Sequence, residues 1–268
     1  MRVRVLELGE GTPLLMIHGG GAFASVYASL LARLKGFRVF AVDRPGCGLS
    51  EPFEYANTDL RAHAIELVRS VLDALGLERA KIVGNCAGGF FSLSFAIAHP
   101  ERVERLVLVG APAGTDPWLP LPSRLLGTPV INVALAKTIF RPSPSSTREV
   151  YRRLFVGRED RLGEDLLECA YRAQLVPGAS RSFLGIMERL AGPLGLRPAA
   201  DLRNDLGAIR APTFFITGTK NAFATPQAIE AVARRLPHAD MHVIEEAGHF
   251  KWLDEPDRCA HAIERFAA

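Results

Sequence analysis

The sequence predicts an α/β protein with a doubly wound, mostly parallel sheet and an inserted helical lid, on three observations. Short apolar runs alternate with longer amphipathic ones, the pattern of parallel βαβ units whose strands are buried on both faces. Each apolar run leads into a residue of chemical interest, and an open parallel sheet binds ligands at the carboxyl ends of its strands. One long stretch has no sheet strand and reads as helical.

The strand candidates are 14–17, 39–42, 81–83, 106–109, 213–217 and 241–244. They run into His18, Asp43, Cys86, Gly110, Gly218 and the Gly248-His249 turn. A helix is expected over 60–75, where Ile65, Val68, Val71, Leu72 and Leu75 recur at helical spacing. A second follows Cys86 and ends near Ala98, because His99-Pro100 disfavours continuation. Between strands 106–109 and 213–217, Pro112, Pro117, Pro120, Pro122, Pro129, Pro142 and Pro144 punctuate a segment that turns helical over 147–190. Leu154, Phe155, Leu166, Leu167, Phe183, Leu184 and Met187 supply its apolar faces. The expected division is a core of 1–114 and 201–268, with a lid of 115–200.

The 268 residues suit one large domain. A hydrophobic content of 48 %, 23 % charged residues and a net charge of +3 are ordinary for a globular protein. No dense basic tract points to nucleic acid, and no apolar run reaches the length of a membrane span. The segment 115–200 carries twelve Lys/Arg against eight Asp/Glu. That excess reads either as a solvated helical surface or as attraction for an acidic substrate or acyl-carrier partner. Cys47, Cys86, Cys169 and Cys259 are widely spaced and form no Cys-x-x-Cys pair, so neither a disulfide scaffold nor a zinc site is expected. Met1–Val5 alternates like a strand rather than a signal peptide. The expectation is a cytoplasmic protein without metal or cofactor, where a free thiol survives.

The chemistry centres on Gly84-Asn85-Cys86-Ala87-Gly88-Gly89. A strand, Gly-x-Cys-x-Gly-Gly and a helix form a nucleophile elbow with cysteine in the serine position. The turn holds its nucleophile at positive φ, so its flanking residues must be small. The helix N-terminus beneath it favours thiolate. Taken alone, the motif fits a buried core cysteine equally well. Further features follow in order: His18-Gly19-Gly20-Gly21 offers backbone N–H groups to an oxyanion, Asn221 lies past strand 213–217, and His249 follows the last strand.

These pieces resemble the α/β-hydrolase superfamily, in the branch of small lidded esterases, lactonases and carbon–carbon bond hydrolases. The matching residues are His18-Gly19-Gly20-Gly21, Asp43-Arg44-Pro45-Gly46-Cys47-Gly48-Leu49-Ser50, the elbow, Ala98-His99-Pro100-Glu101-Arg102-Val103 and Ala247-Gly248-His249. The resemblance implies the α/β-hydrolase fold, with Cys86 and His249 as nucleophile and base. It also implies an oxyanion hole from the Gly20 and Ala87 N–H groups. Two positions depart from the family: cysteine stands for serine, and Asn221 for the usual acid. A thiol can ionise against histidine in the ground state, so a neutral amide suffices to orient the ring, as in Cys-His-Asn proteases. Asp116, after strand 106–109, is the alternative third member; its other reading is a turn aspartate.

The remaining polar residues read as structural. Asp43 organises a turn, Cys47 fills it and His18 supports the oxyanion loop. His63, His99, His238, His242 and His261 are bland, Cys169 and Cys259 packed, and Lys220 and Lys251 sources of positive potential. The leading function is hydrolysis of an ester, lactone or thioester with an apolar acyl part through an acyl-cysteine. Trp118, Leu119, Leu121, Phe140 and Phe155 motivate the apolar preference. The alternatives are an acyltransferase or cyclase on the same scaffold, and a non-catalytic ligand-binding member.

Overall fold

The computed structural model describes residues 1–116, 118–138 and 141–268; Pro117 and Phe140 fall outside them. The strands are β1 (Val5–Leu8), β2 (Thr12–Ile17), β3 (Phe37–Val42), β4 (Ala80–Asn85), β5 (Val103–Val109), β6 (Ala191–Gly192), β7 (Gly195–Leu196), β8 (Thr213–Gly218) and β9 (Ala239–Ile244). Seven form one sheet in the order β1-β3-β2-β4-β5-β8-β9. Only β1 runs antiparallel, pairing Val5 with Val42. This is the doubly wound, mostly parallel sheet that the alternation predicts, with each predicted strand one to three residues longer than its apolar run.

Alternation along β2 shows why both faces are covered. Leu15 and Ile17 pack into one core with the helices Leu60–Ala74 and Ala87–Ala98. Leu14 and Met16 pack into the other, with Ile263 of the helix Pro256–Ala267. Phe90, Phe91 and Phe95 are fully buried, each worth about 1.5–3 kcal/mol of transfer free energy. Asp59 caps the helix Leu60–Ala74, accepting the Ala62 N–H at 3.0 Å.

Between β5 and β8 the described residues include the helices Leu121–Leu126, Ile131–Lys137, Pro144–Val150, Glu164–Leu175 and Ala179–Leu190. A π turn spans Tyr151–Phe155, closed by the Val156 N–H on the Tyr151 carbonyl at 3.1 Å. The β6–β7 hairpin is absent from the sequence reading because two-residue strands leave no periodicity. Cys169 is exposed, correcting the packed assignment, while Cys259 is buried. No helix among the described residues is long and apolar enough to cross a membrane.

Candidate functional site

The winding order brings the loops after β2 and β4 together. Those strands pair at Ile17 and Gly84, so His18–Gly21 and the Cys86 turn leave the sheet side by side, where ligands bind such sheets. Cys86 has φ 50 and ψ −113, a left-handed conformation that costs about 1–3 kcal/mol for a non-glycine residue. The Phe90 and Ala113 N–H groups hold it by donating to the Cys86 carbonyl at 3.2 and 3.0 Å. Small neighbours are obligatory. A Cβ on Gly88 would stand 2.0 Å from the Ile17 carbonyl oxygen, and one on Gly84 2.5 Å from Ser92 Oγ.

Cys86 opens partly to a cavity of about 310 Å³ that His249 also lines. The Gly20 and Ala87 N–H groups favour the anionic form of its thiol, as donors of an oxyanion hole must. No hydrogen bond joins the thiol to His249 among the described residues, and such contacts often tighten only with substrate. His249 is buried, with Nδ1 2.9 Å from Asn221 Oδ1. That Asn221 atom also accepts the Phe223 N–H at 3.2 Å, which identifies it as the oxygen. His249 Nδ1 therefore donates, leaving Nε2 as an acceptor. Asn221 Nδ2 has no partner among the described residues.

Burial opposes charge on both groups. It pushes the Cys86 thiol above its ordinary pKa, against the lowering effect of the Gly20 and Ala87 N–H groups and of Arg44 and Lys251. It also drives His249 well below 6.5, with Lys251 adding to the shift. Both shifts favour the neutral forms and work against the ground-state ion pair that the sequence suggests: the sequence shows the helix N-terminus but not the enclosure.

Asp116 does not reach the imidazole by a hydrogen bond; its Oδ1 accepts the Trp118 N–H at 2.8 Å, a turn contact. Asp43 does organise its turn, accepting from the Ala24 and Leu49 N–H groups at 2.6 and 3.0 Å and pairing with Arg4 at 3.0 Å. His18 Nε2 accepts the Arg44 N–H at 3.0 Å, so its Nδ1 donates to the Gly19 carbonyl at 2.8 Å. That neutral tautomer agrees with a pKa held well below 6.5 by burial and then by Arg44. Lys220 pairs with Glu246 outside. Lys251 is buried, donates to the His249 carbonyl at 2.9 Å and is lowered to about 7 by desolvation. His63 is less bland than expected: it stacks on Phe53 at 4.4 Å, and burial lowers it to about 4.

Three contributors escape sequence reasoning. Asn85 donates to the Val109 carbonyl at 2.7 Å and ties the turn to β5. Asp254 accepts the Gly248, Gly157 and Arg158 N–H groups at 2.7, 3.0 and 2.9 Å, joining the histidine turn to the helical segment. Arg44 holds the His18 and Gly19 carbonyls. All act on backbone groups, which leave no side-chain motif. Among the described residues, no cluster of three or more His, Cys, Asp or Glu is placed to hold a metal.

A family profile described as alpha/beta hydrolase fold matches residues 12–256. A 2-hydroxymuconate semialdehyde hydrolase of Pseudomonas putida is 32 % identical, covering 100 % of this chain and 91 % of its own. A 2-hydroxy-6-oxononadienedioate/2-hydroxy-6-oxononatrienedioate hydrolase 2 of the same species is 30 % identical, over 91 % and 84 %. Among solved structures, a meta-cleavage product hydrolase of Pseudomonas fluorescens IP01 superposes with TM-score 0.80 at 24 % identity, over 99 % and 93 %. Profile, sheet order and elbow agree, and the chain belongs to the α/β-hydrolase fold family.

Proposed function

We propose that this hydrolase cleaves an ester, lactone or thioester of an apolar acyl group through an acyl-cysteine on Cys86. One observation carries the reading. A thiol on a strained turn faces two backbone N–H groups, in a cavity shared with an imidazole whose Nδ1 is held by Asn221. Cys86 Sγ attacks the carbonyl carbon as its proton passes to His249 Nε2. The Gly20 and Ala87 N–H groups take the oxyanion, each worth about 10²–10³ in rate. Collapse breaks the bond to the leaving group, which receives the proton from His249. Water then attacks the thioester, His249 takes its proton, and the proton returns to sulfur. Residues 115–200 act as the lid. We place the protein in the cytoplasm, a compartment that keeps Cys86 reduced.

The relatives favour a second reading, carbon–carbon bond hydrolysis of a dienoate. The cavity weighs against a dicarboxylate such as the dioates those names print. Its lining is mostly apolar, includes Asp116, and contains no lysine or arginine among the described residues. A buried carboxylate needs a cationic or N–H partner. Intact mass during turnover of p-nitrophenyl hexanoate tests the proposal. An added acyl mass on wild type, with turnover lost by at least about 10³-fold in C86A, is expected. Full turnover in C86A would overturn it. Product analysis with and without an amine or thiol acceptor separates hydrolysis from transfer, including transfer from an acyl carrier.

A further inference from the structure

Arg44 is 1 % exposed, and its two assigned side-chain bonds go to carbonyls of the oxyanion loop. Nε donates to the His18 carbonyl at 3.0 Å and Nη2 to the Gly19 carbonyl at 2.8 Å. Its backbone N–H holds His18 Nε2, and its guanidinium carbon lies 5.3 Å from the centre of the Phe91 ring. Nη1 has no partner. The adjacent Asp43 makes no ion pair with it: its oxygens accept from Arg4 and from the Ala24 and Leu49 N–H groups. Its charge acts on the ionisation of His18, His63, Tyr27, Tyr55, Cys47 and Cys86, and Asp43 acts beside it on Cys47. Buried cations are ordinarily paired with carboxylates; among the described residues this one forms no ion pair, and its charge acts on Cys86.

We infer that Arg44 is a positioning residue: its fork on the His18 and Gly19 carbonyls aims the Gly20 N–H at Cys86, and its charge supports the anion that forms there. The inference rests on Cys86 being the nucleophile, as proposed above. It also explains how the site works with neutral Asn221 beside His249. A carboxylate in that place would stabilise the imidazolium, whereas Arg44 stabilises the opposite partner, the thiolate and the tetrahedral oxyanion. An arginine suits this task because its planar fork holds two carbonyls while keeping its charge.

The test compares wild type, R44Q and R44K in two measurements: iodoacetamide labelling at pH 8, followed on the Cys86 peptide by mass mapping because Cys169 is exposed as well, and kcat and KM for p-nitrophenyl hexanoate. R44Q is expected to slow labelling about tenfold, because the thiolate loses the positive charge that favours it. Its kcat should fall about 100-fold, with KM within about threefold of wild type. R44K should restore labelling to within about threefold but leave kcat at least about tenfold low, because an ammonium cannot hold both carbonyls in one plane. Labelling and kcat both unchanged in R44Q would overturn the inference. A kcat loss with unchanged labelling would overturn its electrostatic half and keep the loop half. If R44Q does not fold, R44K decides: normal labelling with reduced kcat supports the fork, and unchanged kcat overturns it. Turnover retained in C86A defeats the nucleophile reading separately, because labelling still reports the field at position 86.

Discussion

The rim of the sheet and the helical segment above it meet at the same cavity but are built to different tolerances. At the rim, backbone touches backbone. A Cβ on Gly19 would come within 2.5 Å of Asn85 Oδ1, one on Gly88 within 2.0 Å of a carbonyl, and His249 and Asn85 are buried. In the segment, Trp118, Leu121, Val130 and Leu194 are largely exposed, and its contribution to the cavity is side chains such as Phe183, Met187 and Leu154. The two regions join tightly where Ser182 Oγ donates to the Phe53 carbonyl at 2.8 Å, and again at the histidine turn. There the Phe250 N–H donates to the Phe155 carbonyl at 2.7 Å, and Asp254 gathers N–H groups from both sides. If the proposed function holds, reaction chemistry is set by closely packed backbone and substrate choice by side chains that can repack.

The sharpest test exchanges one glycine in each region. G88A forces a methyl against the Ile17 carbonyl, and relief requires moving β2 or the elbow helix. A loss of about 3 kcal/mol in urea unfolding is expected, with turnover falling beyond that. Gly163, before the helix Glu164–Leu175, has φ −75 and open space where a Cβ would go. G163A should change stability by at most about 0.5 kcal/mol. Equal costs at the two positions would break the comparison.

A second test probes whether cysteine and asparagine work as a unit. C86S leaves a hydroxyl facing an imidazole without a carboxylate behind it, so turnover should drop at least about 100-fold. In the double variant C86S/N221D the carboxylate stabilises the imidazolium, and recovery of about tenfold over C86S is expected. N221D alone should matter less, because the thiol depends less on that support. Additive effects of the two changes would show that they act independently.

Acid should affect the rim before the segment. Residues 115–200 contain no histidine. In the core, His18 and His249 are held well below 6.5 by burial, and His63 is lowered to about 4. A histidine with a depressed folded pKa contributes stability that is complete above its unfolded value and lost as pH falls through the folded one. The melting temperature should therefore hold above pH 6.5 and decline by roughly 5 °C as pH falls toward 4.5. Hydrogen exchange in that window should rise first at His18–Gly21 and around His249. Earlier exchange in 115–200 would place the acid-labile contacts in the wrong region.

This division explains what was legible in the sequence. The sheet was readable because strands buried on both faces give continuous apolar runs, and the elbow because Gly84 and Gly88 are demanded by sterics. Asn221 was readable as a candidate from its place after β8. Arg44 stood inside a quoted motif, but its partners are the His18 and Gly19 carbonyls, which any residue would present. Asp254 likewise binds N–H groups that carry no side-chain identity. The shift toward the neutral forms was hidden because desolvation comes from the whole enclosure, whereas the helix N-terminus that favours thiolate is local. Cys169 was misjudged because helical spacing gives a face but not what covers it.

The smallest expected effects lie in the segment, and they decide whether it selects substrate. Phe183 borders the oxyanion loop, with its ring 3.7 Å from where a Cβ on Gly20 would stand, while Trp118 lines the outer cavity yet is 81 % exposed. Removing Trp118 takes away contact with the distal part of a long acyl chain but no core packing. W118A should leave stability within about 0.5 kcal/mol and raise KM for p-nitrophenyl decanoate about threefold, about 0.6 kcal/mol of lost binding, with acetate unaffected. F183A acts closer to the carbonyl and should alter kcat for acetate as well as decanoate. If both variants changed acetate and decanoate equally, the segment would be a cover that excludes water, and chain-length selection would have to come from the rigid rim.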